Sequence, residues 1–254
     1  MTVHYETDGA VAVITIDRPQ ARNAVDGTTA ASLAEAFGGF EADESLSVAI
    51  LTGAHGTFCA GADLKAVGTP AGNQVLADGD GPMGPTRMEL SKPVIAAIEG
   101  HAVAGGLELA LWCDLRVAST AAVLGVFCRR WGVPLIDGGT FRLPRLIGES
   151  RAMDLILTGR AVEAEEALAI GLVNRLAPEG AALAAAKVLA TQIAGFPQMC
   201  LRSDRESARG HWSMSEAEAI SAEYEFGLPT LLAEALDGAA RFAGGSGRHG
   251  SFED

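Results

Sequence analysis

Apolar and smaller or polar residues alternate along VAVITID (11–17), with a β-branched bias that predicts a strand. The opening, MTVHYETDGAVAVITID, reads as an opening strand. Capping residues followed by apolar positions three and four apart in DGTTAASLAEAFGGFEAD (26–43) predict a helix. SVAILTG (47–53), PVIAAIEG (93–100) and LRVAS (115–119) are short apolar runs that suit buried strands. Between the last two, GGLELALWCD (105–114) reads as a short helix opened by glycines. Strands alternating with helices predict the α/β class, with parallel strands covered on their faces. A strand–turn–helix pattern recurs at 47–66, 93–112 and 115–148 and suggests stacked β-β-α units.

From Glu149 onward the spacing is helical, in ESRAMDLILTG, EAEEALAIGLV, EGAALAAAKVLATQIAG and SMSEAEAISAEYEFGLPTLLAEAL. The expected division is a core over 1–195 and a helical C-terminal region over 196–254, of a kind that suits an oligomer interface. The tail RFAGGSGRHGSFED is polar and glycine-rich, expected to be loose or docked on a neighbour.

At 254 residues and 48% hydrophobic, the chain can bury one sizeable core. Its net charge of −13 repels phosphate backbones and argues against nucleic acid as a partner. No apolar run reaches 18 residues, so no membrane span is expected. The N-terminus lacks the basic region of a signal peptide. Cys59, Cys113, Cys128 and Cys200 show no paired spacing, so neither a metal site nor a disulfide framework is expected, and a reducing cytoplasm fits.

Two glycine-rich turns carry the candidate chemistry. GTFCAGADLK (56–65) reads as a strand end entering a helix, and AVAGGLELA (102–110) as strand, Gly105-Gly106, helix. Small residues let a backbone approach a ligand closely, and amides at a helix start lack partners. Two such turns could aim two N–H groups at one oxygen, or serve only as tight turns for packing. Neither matches a nucleotide phosphate loop. Glu108 lies one helical turn after Gly105 in apolar LELALW, where burial should raise its pKa; it could instead complement the helix dipole. Asp137, in VFCRRWGVPLIDGGT (126–140), is either a second acid or a helix N-cap. Residues 68–86, GTPAGNQVLADGDGPMGPT, suit a lid over a ligand or a plain surface loop.

FCAGADLK, KPVIAAIEGHAVAGGLELALWCDLRVAS, GGTFRLPRLIG and LTGRAVEAEEALAIGLVNRL, in that order, resemble the signatures of the crotonase (enoyl-CoA hydratase/isomerase) family. The resemblance spans about residues 10 to 180. It implies a spiral of stacked β-β-α units, a C-terminal trimerisation region giving a homotrimer or dimer of trimers, and an acyl-CoA thioester substrate with no separate cofactor. It implies that the N–H groups of Ala62 and Gly105 hold the thioester oxygen. RPQARNAV (18–25) resembles the segment lining the CoA nucleotide, making Arg22 a candidate phosphate contact or a solvated charge. Ala24, Ala60, Gly61, Asp63, Leu64 and Gly106 are the other substrate-binding candidates carried over. Trp112 and Trp131 are read as packing residues or as residues that shape an acyl tunnel.

Glu108 matches one of the two catalytic glutamates of the hydratases. The second should fall at Cys128, which is read as a small core residue, and Asp137 is the candidate to replace it. The leading expectation is syn addition or removal of water across a 2,3-double bond. Enoyl- or dienoyl-CoA isomerisation by Glu108 and Asp137 is the alternative, as is a weakly catalytic acyl-CoA-binding protein; dehalogenation finds less support.

Overall fold

A computed structural model of the chain describes residues 1–247. It forms two compact units, Met1–Ile193 and a second from Ala194 onward.

The first unit contains β1 (Val3–Asp8), β2 (Val11–Ile16), α1 (Gly27–Ala42), β3 (Val48–Gly53), β4 (Val94–Ile98), β5 (His101–Val103), α2 (Gly105–Trp112), β6 (Leu115–Ser119) and β7 (Val123–Gly125). It continues with α3 (Gly139–Ile147), α4 (Glu149–Thr158), β8 (Val162–Glu163), α5 (Ala164–Ala169), β9 (Arg175–Ala177) and α6 (Ala182–Ala194), whose last residue enters the second unit. The main sheet runs β1-β2-β3-β4-β6-β9. It is parallel except at β1, which pairs antiparallel with β2. A second sheet has the order β5-β7-β8. Successive β4-β5-α2 and β6-β7-α3 units give the expected stacked β-β-α architecture.

The N-terminal segment departs from the expected single strand. It is a hairpin, because Gly9 adopts φ +57° and lets the chain reverse between Asp8 and Val11. α1 forms as its spacing predicts. Asp26 caps it by accepting the Thr29 N–H at 2.8 Å, and Leu33, Phe37 and Phe40 face the core. Its C-terminal carbonyls are closed by buried Lys92, whose Nζ donates to Phe40 O at 2.9 Å and Asp43 O at 2.7 Å. β3 and β4 are buried along nearly their whole length, as parallel strands covered on both faces must be.

The expected helix after GTFCAG does not form. Residues 63–72 make turns, fixed by Ala66 N–H to Asp63 O, Thr69 N–H to Ala66 O and Gly72 N–H to Thr69 O. The Asp63 side chain accepts the Lys65 N–H through Oδ1 and the Arg18 guanidinium through Oδ2, each at 3.1 Å.

In the second unit, α7 (Gln198–Gly210), α8 (Glu216–Ala233) and α9 (Ala235–Gly244) follow. Ser215 and Glu218 form a reciprocal capping box at the start of α8. Of the tail expected to be loose or docked on a neighbour, Arg241–Gly244 belong to α9; residues 248–254 lie outside the described residues.

Candidate active site

The two glycine-rich turns meet through a short parallel pairing. Cys59 N–H donates to His101 O at 2.9 Å and Val103 N–H to Cys59 O at 3.1 Å, setting Cys59 beside Ala102. Three residues further along each segment stand Ala62 and Gly105. The first segment is pinned on its other side by Val25 N–H to Gly61 O and Asp63 N–H to Val25 O, both 2.8 Å. Neither the Ala62 amide nor the Gly105 amide has a hydrogen-bond partner among the described residues, and both residues line one cavity.

Close backbone approach makes the glycines obligatory. A Cβ on Gly61 would lie 3.1 Å from Gly105 N and 2.9 Å from Ala104 Cβ, and Gly61 has φ +99°. A Cβ on Gly106 would lie 2.2 Å from Cys59 O, so α2 can seat against that strand only with glycine there. Ala104, the residue before α2, holds φ +54°, a conformation costing about 1–3 kcal/mol and typical of sites where function fixes the backbone.

Glu108 sits in the first turn of α2, 2% exposed. Its Oε1 accepts the N–H groups of Asp137 at 2.9 Å and Gly139 at 2.8 Å; Oε2 has no partner among the described residues. Burial pushes its pKa up to about 7. The Gly139 and Asp137 amides and Arg142 oppose the rise, and the Asp137 charge adds to it.

Asp137 is buried too, but it caps no helix: Gly138 precedes α3, with no side-chain cap. Its Oδ1 accepts the Met83 N–H at 2.9 Å and the Thr86 hydroxyl. Burial raises its pKa as well, against those bonds and the charges of Arg87 and Arg142. Arg142 braces the same corner, donating to Asp137 O and Thr86 O, each at 2.8 Å. Cys128 lies on the wall in a 3-10 turn, Phe127–Trp131. Burial and the Glu108 charge push its thiol up, so it is neutral at physiological pH.

The cavity has a volume of about 610 Å³. Of the sequence candidates, Ala60, Ala62, Leu64, Gly105, Glu108 and Asp137 line it; Arg22, Ala24, Gly61, Asp63 and Gly106 do not. Arg22 is exposed in a left-handed turn, and its carbonyl accepts the Ala60 N–H at 3.2 Å. Ala24 O and the Asp63 carboxylate both receive the buried Arg18 guanidinium, which also pairs with Asp26 at 2.8 Å. Of residues 68–86, Gly68, Thr69, Gly72, Asn73, Val75, Pro82 and Met83 line the cavity. Trp112 packs in the core, edge-on to Phe37, while Trp131 is 72% exposed and lines the cavity, the second of the two parts expected for these residues.

Sequence reasoning missed Arg18, Thr86 and Arg142, because nothing local marks a residue that acts by tying distant segments together. The apolar wall residues Met83, Phe127, Val133 and Ile136 also carried no signal of their own.

A family model described as enoyl-CoA hydratase/isomerase matches residues 6–235. The chain belongs to this family. Enoyl-CoA hydratase EchA19 of Mycobacterium tuberculosis is 36% identical over 94% of this chain and 92% of its own length. (E)-benzylidenesuccinyl-CoA hydratase of Thauera aromatica is 39% identical over 82% of each. The crystal structure of enoyl-CoA hydratase EchA1 from Mycobacterium marinum superposes with a TM-score of 0.90 at 39% identity, covering 95% of both chains. The fold is thus that of the enoyl-CoA hydratases, C-terminal helical region included, and the activity is hydratase-like, on acyl-CoA.

Proposed function

We propose that this enzyme adds water across the 2,3-double bond of an enoyl-CoA, with Glu108 as the proton carrier. The observation supporting this reading is that two unpartnered amides and a glutamate with pKa near 7 share one cavity. The thioester oxygen accepts from the Ala62 and Gly105 N–H groups, which stabilise the enolate as negative charge develops there. Ionised Glu108 takes a proton from water while the hydroxyl adds to Cβ; the proton is then delivered to Cα, so one water is consumed. Asp137 is the second carboxylate, holding Met83 over the hole through Oδ1 and leaving Oδ2 for the reacting water.

Arg22, Ala24, Gly61, Asp63 and Gly106 belong to, or directly support, the segments assigned to the CoA and thioester portions. Free cysteines fit a reducing cytoplasm, and exposed Leu231, Leu232 and Leu236 support trimer formation.

Steady-state hydration of a 2-enoyl-CoA, followed by loss of enoyl absorbance, tests the assignment. Glu108→Gln should lower kcat by about 10²–10⁴-fold with CoA affinity retained, and Asp137→Asn should lower it less. Near-wild-type turnover by Glu108→Gln would sink the reading. Cys128, at the place of a second acid, favours one alternative, migration of a 3-enoyl double bond; a gain of enoyl absorbance from 3-enoyl-CoA without hydration would establish it.

A further inference from the structure

Most of the cavity wall is apolar. Leu64, Val67, Val75, Phe127, Trp131 and Val133 supply aliphatic and aromatic surface. The polar residues there are committed elsewhere: Thr69 Oγ1 donates to Ala66 O at 2.7 Å, and Asn73 Nδ2 to Val25 O at 3.1 Å and Pro82 O at 2.8 Å. Among the described residues, no Lys or Arg lines the cavity, and its charged groups are the two carboxyls, Glu108 and Asp137. Cys128 contributes a neutral thiol.

Size is the second constraint. A water-sized group needs only about 10–15 Å³ of such cavity space, so a four-carbon enoyl group uses a small part of the 610 Å³, which also admits the thioester end. A small acyl group would leave apolar wall facing solvent.

Resting on the hydratase reading, we infer that the preferred substrate carries an uncharged, apolar acyl group well beyond four carbons. A carboxylate on the acyl group would be buried against apolar wall with no cation lining the cavity to balance it. A cationic acyl group would pair with Glu108 and hold it ionised, removing the acid form needed to return a proton. Each further methylene buried against this wall is worth roughly fourfold in affinity.

Two measurements on the full-length protein test this. Calorimetric titration with saturated butyryl-CoA, decanoyl-CoA and the ω-carboxylated ten-carbon analogue reads binding alone. Decanoyl-CoA should bind at least tenfold tighter than either. Equal or tighter binding of butyryl-CoA, or of the ω-carboxylate, would overturn the inference. Hydration of the corresponding 2-enoyl thioesters reads the chemistry separately. The ten-carbon substrate should exceed crotonyl-CoA at least tenfold in kcat/KM. Tight decanoyl binding with no hydration would support the acyl preference and sink the hydratase reading instead. Val133→Phe, which fills the cavity, should lower the decanoyl-to-butyryl affinity ratio at least fivefold; an unchanged ratio in a folded variant counts against it. Should that variant not fold, the wild-type ratios decide.

Discussion

The main-chain N–H of Asp137 donates to Glu108 Oε1 at 2.9 Å, so the two acids are joined through backbone rather than through their carboxyls. One oxygen of Glu108 is anchored by this bond and that from Gly139, while Oε2 has no partner among the described residues. Asp137 anchors Met83 and Thr86 through Oδ1 alone. Each acid thus spends one oxygen on holding the corner together and keeps its second oxygen out of those bonds.

The first consequence is a pH profile. In the proposed hydration Glu108 must be ionised to take a proton from water, and burial raises its pKa to about 7. Hydration kcat/KM should rise about tenfold from pH 6 to pH 7.5 and flatten above pH 8. A profile flat from pH 5.5 to 8.5 would remove Glu108 as the base.

Stability should respond in the opposite sense. Glu108 has a folded pKa above its ordinary value of 4.5, so the unfolded state loses its proton first as pH rises. The penalty is absent below pH 4.5, grows toward pH 7 and is complete above it. Glu108→Gln keeps an acceptor for both amides and removes the charge. The melting temperature of Glu108→Gln should exceed that of wild type at pH 8, and the gain should shrink steadily toward pH 4.5.

Arg142 acts at one remove from the chemistry. It ties the Asp137 carbonyl to Thr86 O, and its charge lowers the Glu108 pKa. Arg142→Ala should lower kcat about tenfold and move the inflection of the pH profile upward. Arg142→Lys should restore the inflection in part, since the charge returns without the forked geometry. An unmoved inflection in a folded Arg142→Ala variant would confine Arg142 to a structural part.

Cys128 is predicted to be chemically idle. Its thiol is buried and pushed up in pKa, so Cys128→Ser should keep turnover within about threefold of wild type. A loss beyond tenfold, measured by the same enoyl absorbance assay, would give the thiol a part in proton transfer.

Gly106→Ala tests the packing that brings the amides together. Alanine favours a helix by up to ~1 kcal/mol, but its Cβ would stand 2.2 Å from Cys59 O. Overpacking of this kind costs about 1–3 kcal/mol. A lower melting temperature with reduced kcat is expected; a more stable variant would show that the contact yields easily.

Much of the fold was legible in local pattern. The strands at 11–17, 47–53, 93–100 and 115–119 and the helices at 26–43 and 105–114 follow from period and capping, because both are set by neighbours along the chain. The helix expected after GTFCAG was not, because Asp63 bonds both Lys65 N–H and the distant Arg18, and turn bonds take the backbone instead. β5, β7 and β8 are two or three residues long, too short for any period to announce them, and they form by pairing with one another and, for β5, with the Cys59 segment.

By itself the sequence determined the α/β alternation, the two glycine-rich turns, and the placing of Glu108 one turn into a buried helix. Each depends on residues close along the chain. Tertiary structure alone decided that Ala62 and Gly105 come level through the Cys59–Ala102 pairing, that Asp137 holds Met83 rather than a helix end, and which residues of 68–86 line the cavity. Those outcomes rest on hydrogen bonds and burial between segments 30 to 70 residues apart, where no local preference can fix which partner wins.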